Sequence, residues 1–143
     1  MANLQDIRAG IAANLTAHLD LAPLTGCQIS PYMLSAPTTP TVQVMGPDLI
    51  TYHRAMADGV NEWTLIVQAF VGLISDQGAQ QVLDRMLDTT GAASVKAAIE
   101  ADGTLGGAAF STTVVSSSGY RQYQLGGQAD VLGCEWSIQI LGG

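Results

Sequence analysis

The sequence predicts an α+β domain: one mainly antiparallel β-sheet, with an N-terminal helix and two central helices packed on it and a C-terminal β-hairpin. Three observations predict it. Residues 3–19 repeat apolar side chains at helical spacing, residues 61–72 and 131–141 alternate at strand spacing, and the order is α, several β, α, α, then a β-hairpin. No internal repeat or linker divides the 143 residues, so a single domain over 1–143 is expected. A chain of this length buries roughly 70% of its unfolded surface, enough for a core without staples.

The first helix follows from Leu4, Ile7, Ile11, Leu15 and Leu19, which form one stripe. Asn3 is placed to cap it, and Asp6 in the first turn suits the positive end of the helix dipole. Gly10 in the interior works against the helix by about 1 kcal/mol. Pro23 and Gly26 end the region. Residues 27–32 are a short strand broken by Pro31, followed by a Pro-, Ser- and Thr-rich loop over 35–40. Residues 41–45 alternate as a strand. Pro47 and Asp48 are then expected to turn the chain before another short strand at 49–53, with a polar connection over 54–59.

Residues 61–72 are the strongest central strand. Trp63, Leu65, Val67, Ala69 and Val71 share one face, and Thr64, Ile66, Gln68 and Phe70 the other. Apolar residues on both faces predict cover on both sides, one of them supplied by the chain's own helices. A second helix begins at Ser75-Asp76, has the stripe Ala79, Val82, Leu83, Met86 and Leu87, and stops at Thr89-Thr90-Gly91. A short third helix spans 94–101, with Val95, Ala98 and Ile99 on one side, and residues 105–107 lead out of it. Residues 110–119 are a Thr/Val/Ser strand that residues 120–125 extend toward a hairpin tip at Gly126-Gly127. In the returning strand, 131–141, Leu132, Cys134, Trp136, Ile138 and Ile140 occupy one face.

Charged residues make up 12% of the chain, about half the usual ~25%. Ala, Gly, Ser and Thr together supply 56 of the 143 residues. A solvated surface normally carries more charge, so much of this one is expected to be covered by other subunits. Five basic residues, scattered one per segment, face twelve acidic ones for a net charge of −7. Gripping a nucleic-acid backbone needs clustered cations, as does binding an anionic membrane. Both partners are therefore disfavoured. Cys27 and Cys134 have no CxxC partner or histidine at metal spacing and read as two buried thiols. The first residues lack the basic and apolar regions of a signal peptide, which points to folding in a cytoplasm.

No catalytic constellation emerges, and no metal or cofactor is expected. His18 and His53 lack a carboxylate or cysteine that would orient them as general bases. Glu100 and Asp102 do not have the alternating oxygens of a calcium loop. The glycines at 103–107 lack the lysine of a phosphate loop and precede a strand. Ser116-Ser117-Ser118 is not bracketed as a nucleophile elbow. One cluster remains. Tyr120, Arg121 and Tyr123 form an aromatic–cationic group on an arm expected to project from the body, with Arg121 and Tyr123 on one face and Tyr120 opposite. With Glu135, a lone strand carboxylate beside Trp136, they are the candidate subunit or partner interface. The negative net charge favours a protein partner over nucleic acid.

Several stretches carry a resemblance. They are residues 7–15 (IRAGIAANL), 63–71 (WTLIVQAFV), 80–84 (QQVLD), 94–102 (SVKAAIEAD) with 104–107 (TLGG), 119–121 (GYR) and 133–140 (GCEWSIQI). Across nearly its whole length the chain resembles the tail terminator, or tail-completion, proteins of long-tailed bacteriophages. The resemblance is at the level of the fold, since none of these stretches carries chemistry. It implies a virion protein that forms a ring, usually of six copies, made in the host cytoplasm and placed at the neck of the tail. Its partners would be further copies of itself, the tail tube protein and the head-side connector or stopper, with DNA passing through the centre unbound. Other small neck or tail-tube components share this layout, and a small adaptor or ligand-binding module is the reading outside viruses.

Overall fold

Helical periodicity becomes helix first at Leu4–His18, labelled α1. Asn3 caps it, its side chain accepting the Asp6 amide at 2.8 Å. The computed structural model describes residues 3–20, 27–33, 40–52, 61–73, 77–123 and 130–142. Five strands follow from the alternating segments: β1 at Gln28–Ser30, β2 at Thr41–Thr51, β3 at Asn61–Leu73, β4 at Ser111–Tyr123 and β5 at Val131–Gly142. Between β3 and β4 lie α2 at Gln77–Met86, α3 at Val95–Glu100, and a short 3₁₀ turn at Leu105–Gly107. The fold is α+β.

The strands form one sheet in the order β1-β2-β3-β5-β4. Only the β1–β2 pair is parallel; the other three are antiparallel. The expected central strand, β3, lies between β2 and β5. All three helices join one core on one face. Ile7, Ile11 and Leu15 of α1, Val82, Leu83 and Met86 of α2, and Val95 and Ile99 of α3 meet Val42, Val44, Leu65, Val67, Trp136, Ile138 and Ile140 of the sheet. Burying a Val, Leu or Ile side chain contributes about 1.5–3 kcal/mol, so this seam is the main source of stability.

Gly10, the odd residue in α1, has a packing reason. A Cβ there would lie 2.6 Å from the Leu105 Cβ and 2.8 Å from the Leu105 carbonyl oxygen. The 3₁₀ turn therefore rests on the bare backbone of α1. The turn is sharp: Leu105, Gly106 and Gly107 have φ of 51°, 70° and 97°, in the region that glycine enters without steric cost.

One expectation about the strands is corrected. The chain does not turn at Pro47-Asp48; β2 runs on to Thr51, with register shifts between Val44 and Pro47 and between Pro47 and Leu49. Proline has no amide to give a ladder and is tolerated at bulges and edges. β1 pairs with β2 only at Thr41–Gln43, so Pro47 lies on a stretch that β1 does not reach. The strand expected over 110–119 does continue through its extension as one element, β4, bent by register shifts at Val114/Ser116 and Ser118/Arg121. The helix start at Ser75-Asp76, the loop residues 35–39, His53 and the hairpin tip at Gly126-Gly127 lie outside the described residues.

Candidate functional site

The candidate interface is built on the second irregularity of β4. Between Ser118 and Arg121 the strand takes up one extra residue against β5, and Gly119 supplies the positive φ, 72°, that this requires. The bulge splits the aromatic–cationic cluster between the two faces. Tyr120 turns to the helix side, where its hydroxyl donates to the Asp84 Oδ1 of α2 at 2.8 Å. Arg121 and Tyr123 turn to the helix-free face. The Tyr123 ring stands edge-on to Phe70 of β3, with centroids 5.2 Å apart and planes at 72°, and the Arg121 guanidinium lies 4.8 Å over the Tyr123 ring. The Tyr123 hydroxyl donates to the Gly119 carbonyl at 2.7 Å, closing the bulge on itself.

Gly133 makes this stack possible. It pairs with Phe70 on one side and Arg121 on the other. A Cβ there would lie 2.5 Å from the Ala69 carbonyl oxygen, 2.9 Å from Phe70 Cδ1 and 3.0 Å from Tyr123 Cδ1. The described part of the arm therefore does not project, as the sequence had suggested. It is held to the body by Tyr120 on one face and Tyr123 on the other.

Glu135 sits beside this stack, half-buried, in a row of cross-strand neighbours that runs from Gln43 through Gln68 and Glu135 to Ser118. Gln43 Nε2 donates to Gln68 Oε1 at 3.0 Å. The same face carries Thr64, Ser137 and Gln139, and in β3, β4 and β5 the only charged residues are Glu62, Arg121 and Glu135. The helix-free face is thus broad, mixed polar and apolar with Leu49, Ile66 and Phe70 among its side chains, and sparsely charged.

Electrostatics keep the site's hydroxyls neutral. Burial raises the Tyr123 pKa and the Glu135 charge adds to it, outweighing Arg121. Burial and then Asp84 raise that of Tyr120. Both rings are hydrogen-bond donors throughout the physiological range. The two cysteines are free thiols. Cys134 is buried and donates to the Ser118 carbonyl at 3.1 Å. Cys27 is only half-buried, and burial pushes it up to about 11. A thiol acts as a nucleophile through its thiolate, so neither is poised to react at neutral pH.

The remaining sequence candidates are spread out and engaged structurally. His18 is exposed in the last turn of α1. Glu100 is tied to Lys96 and to β4. Asp102 accepts from the Thr104 amide and hydroxyl and from the Gly106 amide, at 2.6–3.1 Å, and so shapes the 3₁₀ turn. Among the described residues no group of three or more His, Cys, Asp or Glu could hold a metal ion. None of their helices is long and apolar enough to cross a membrane.

Two residues matter more than the sequence reading allowed. Arg8 is buried, donates from one nitrogen to the Pro31 and Val44 carbonyls at 2.9 and 3.1 Å, and lies 4.9 Å over the Tyr32 ring. It ties α1 to the chain after β1 and to the bulge of β2. Asn14 is buried and donates to the Ile99 and Asp102 carbonyls, both at 3.0 Å. Their signal in the sequence is slight: each is a polar side chain within a helical turn of Ile7, Ile11 and Leu15.

No protein-family model matches the sequence, and no curated protein matches it significantly.

Proposed function

We propose that this chain is a structural, non-catalytic virion subunit that closes into a ring of about six copies, caps the tail tube and joins it to the head-side connector. DNA passes through the ring without specific binding. The observation that carries the reading is the helix-free face of the sheet. Its row of Gln, Ser and Thr with only Glu62, Arg121 and Glu135 as charges lacks the clustered cations that hold phosphates. Its apolar side chains, Leu49, Ile66 and Phe70, are interspersed with these polar ones. Such a face suits the wall of a passage along which a polyanion slides. Low total charge and many small side chains suit close packing of like subunits, and a ring needs two different patches that meet by rotation.

Solution mass tests this directly. The ring reading expects a particle near six times 14.9 kDa, alone or on addition of tail tubes, and ring-shaped density at the head-proximal end of the tail by electron microscopy. A chain that stays single in the presence of tube ends removes the reading. Density repeated along the tube would instead make it a tube component.

A further inference from the structure

We propose that neighbouring copies join through the sheet itself: Ser116–Ser118 at the β4 edge of one copy pairs antiparallel with β1, Gln28–Ser30, at the opposite edge of the next. The inference rests on the ring reading and specifies its interface.

The first argument is electrostatic. Copies that each carry −7 repel unless they meet at uncharged surface. The chain has no Asp, Glu, Lys or Arg from 21 to 47 and none from 103 to 120. The first stretch contains β1 and the second contains β4 up to its second bulge. The edge strands themselves thus bring no charge to the two borders of the sheet; the charges beside them are Arg8 at the end of β1 and the Lys96–Glu100 pair at Val114. Both expose apolar side chains: Tyr32 and Met33 just after β1, Phe110 just before β4 and Val115 on it, the last 60% exposed. Pro31 closes the β1 edge, but neither Gln28–Ser30 nor Ser116–Ser118 carries a charge or a proline of its own, and natural proteins blunt a bare edge with such residues.

The second argument is length. The first part of the β4 edge is already occupied, because the Glu100 carboxylate accepts the Val114 amide at 2.8 Å. Register shifts then bound a regular run of three residues, Ser116, Ser117 and Ser118. β1 is also three residues long.

The third argument is register. Ser116 and Ser118 pair with Ser137 and Glu135, on the helix-free face, and Ser117 pairs with Trp136, on the core face. In β1, Gln28 and Ser30 pair with Thr41 and Gln43, on the helix-free face, and Ile29 pairs with Val42, on the core face. Setting Gln28 opposite Ser118 and Ser30 opposite Ser116 brings Ile29 opposite Ser117. There a groove of about 220 Å³, lined by Leu87, Thr89, Lys96, Val115 and Trp136, lies open beside the small Ser117 side chain. Strand directions agree. β1 runs with β2, and β4 runs against β5 and with β3, so β4 is opposed to β1. Rotation about an axis along the strands preserves that opposition, and the new pair is antiparallel, the more stable kind.

The test uses the full chain in a Cys27→Ser background. The double variant Gln28→Cys/Ser118→Cys is oxidised and run beside each single variant, with Ser30→Cys/Ser116→Cys as an independent pair. The proposal expects both double variants to give covalent multimers that end at the ring, and each single variant to stay uncross-linked. It also expects Ser117→Lys, with its thermal unfolding unchanged, to lower the assembled mass to 14.9 kDa. Dimers from Ser118→Cys alone would mean β4 pairs with β4, and would overturn it. Rings that form by mass yet give no cross-link with either pair would overturn the interface and leave the ring. A chain that never associates would remove the ring reading and this interface with it.

Discussion

The Glu100 carboxylate accepts the Val114 backbone amide at 2.8 Å, so a helix side chain stands where a sixth strand would begin. Its other oxygen lies 2.6 Å from Lys96 Nζ, one turn back on α3. Burial works upward on this carboxyl. The Lys96 hydrogen bond, the Val114 amide and the Lys96 charge together outweigh it and hold the pKa below the usual range. A folded-state pKa below the unfolded one gives stability that is present above about 4.3, the ordinary glutamate value, and is lost as pH falls through the folded value. We expect Glu100→Gln to be less stable than the parent at pH 7, and the gap to shrink as pH falls below about 4.3, the ordinary glutamate value. Urea midpoints measured from neutral pH down into the acid range check this; a gap that does not change with pH counts against the role of the charge.

Replacing Gly133 by alanine should break the contact that shapes the candidate interface. The added Cβ meets the Ala69 carbonyl at 2.5 Å as well as the Phe70 and Tyr123 rings. Backbone cannot yield as a side chain can, so we expect a loss of about 1–3 kcal/mol. Denaturant unfolding measures the loss, and an unchanged midpoint would show that β3 and β5 can move apart freely.

Thr112 is 7% exposed and its hydroxyl has no hydrogen-bond partner. A buried unmet donor costs about 1–3 kcal/mol. Thr112→Val keeps the branched shape and removes that cost, so it should stabilise the protein by about 1 kcal/mol. For a domain of this size that is a rise of roughly 3–4 °C in Tm. A fall in Tm would mean that the hydroxyl is satisfied in solution.

Asn14 should be sensitive to the loss of its donors. Asn14→Ala leaves the Ile99 and Asp102 carbonyls without their side-chain donor, a change worth about 2 kcal/mol. Asn14→Asp should cost more at pH 7, because a carboxylate would face two carbonyl oxygens. Equal Tm values for the two variants would indicate that packing, not donation, is what Asn14 supplies.

Sequence reading and structure part company at identifiable places. The stripe of α1 and the alternation of β3 and β5 were legible because each is a local pattern of one to three turns or a few strand residues. Pro47 misled because its rule concerns ladders: a missing amide costs little where β1 stops short of it. The sequence predicts a projecting arm because nothing local says that Tyr120 finds Asp84 across 36 residues. Arg8 and Asn14 were passed over for the same reason. Their partners lie as far as 36 and 88 residues away, at Val44 and Asp102.

By itself the sequence determined the kinds of element, the single core and the low charge of the surface, since periodicity and composition are properties of neighbours along the chain. Only the tertiary structure decided the strand order β1-β2-β3-β5-β4. That order makes β3 central and β5 an inner strand, leaves β4 and β1 as the two borders, and gathers Phe70, Gly133, Arg121 and Tyr123 into one stack. Strand pairing is a choice among distant segments whose local patterns are alike. It is settled by which arrangement buries the shared face against the helices and satisfies the backbone at the same time.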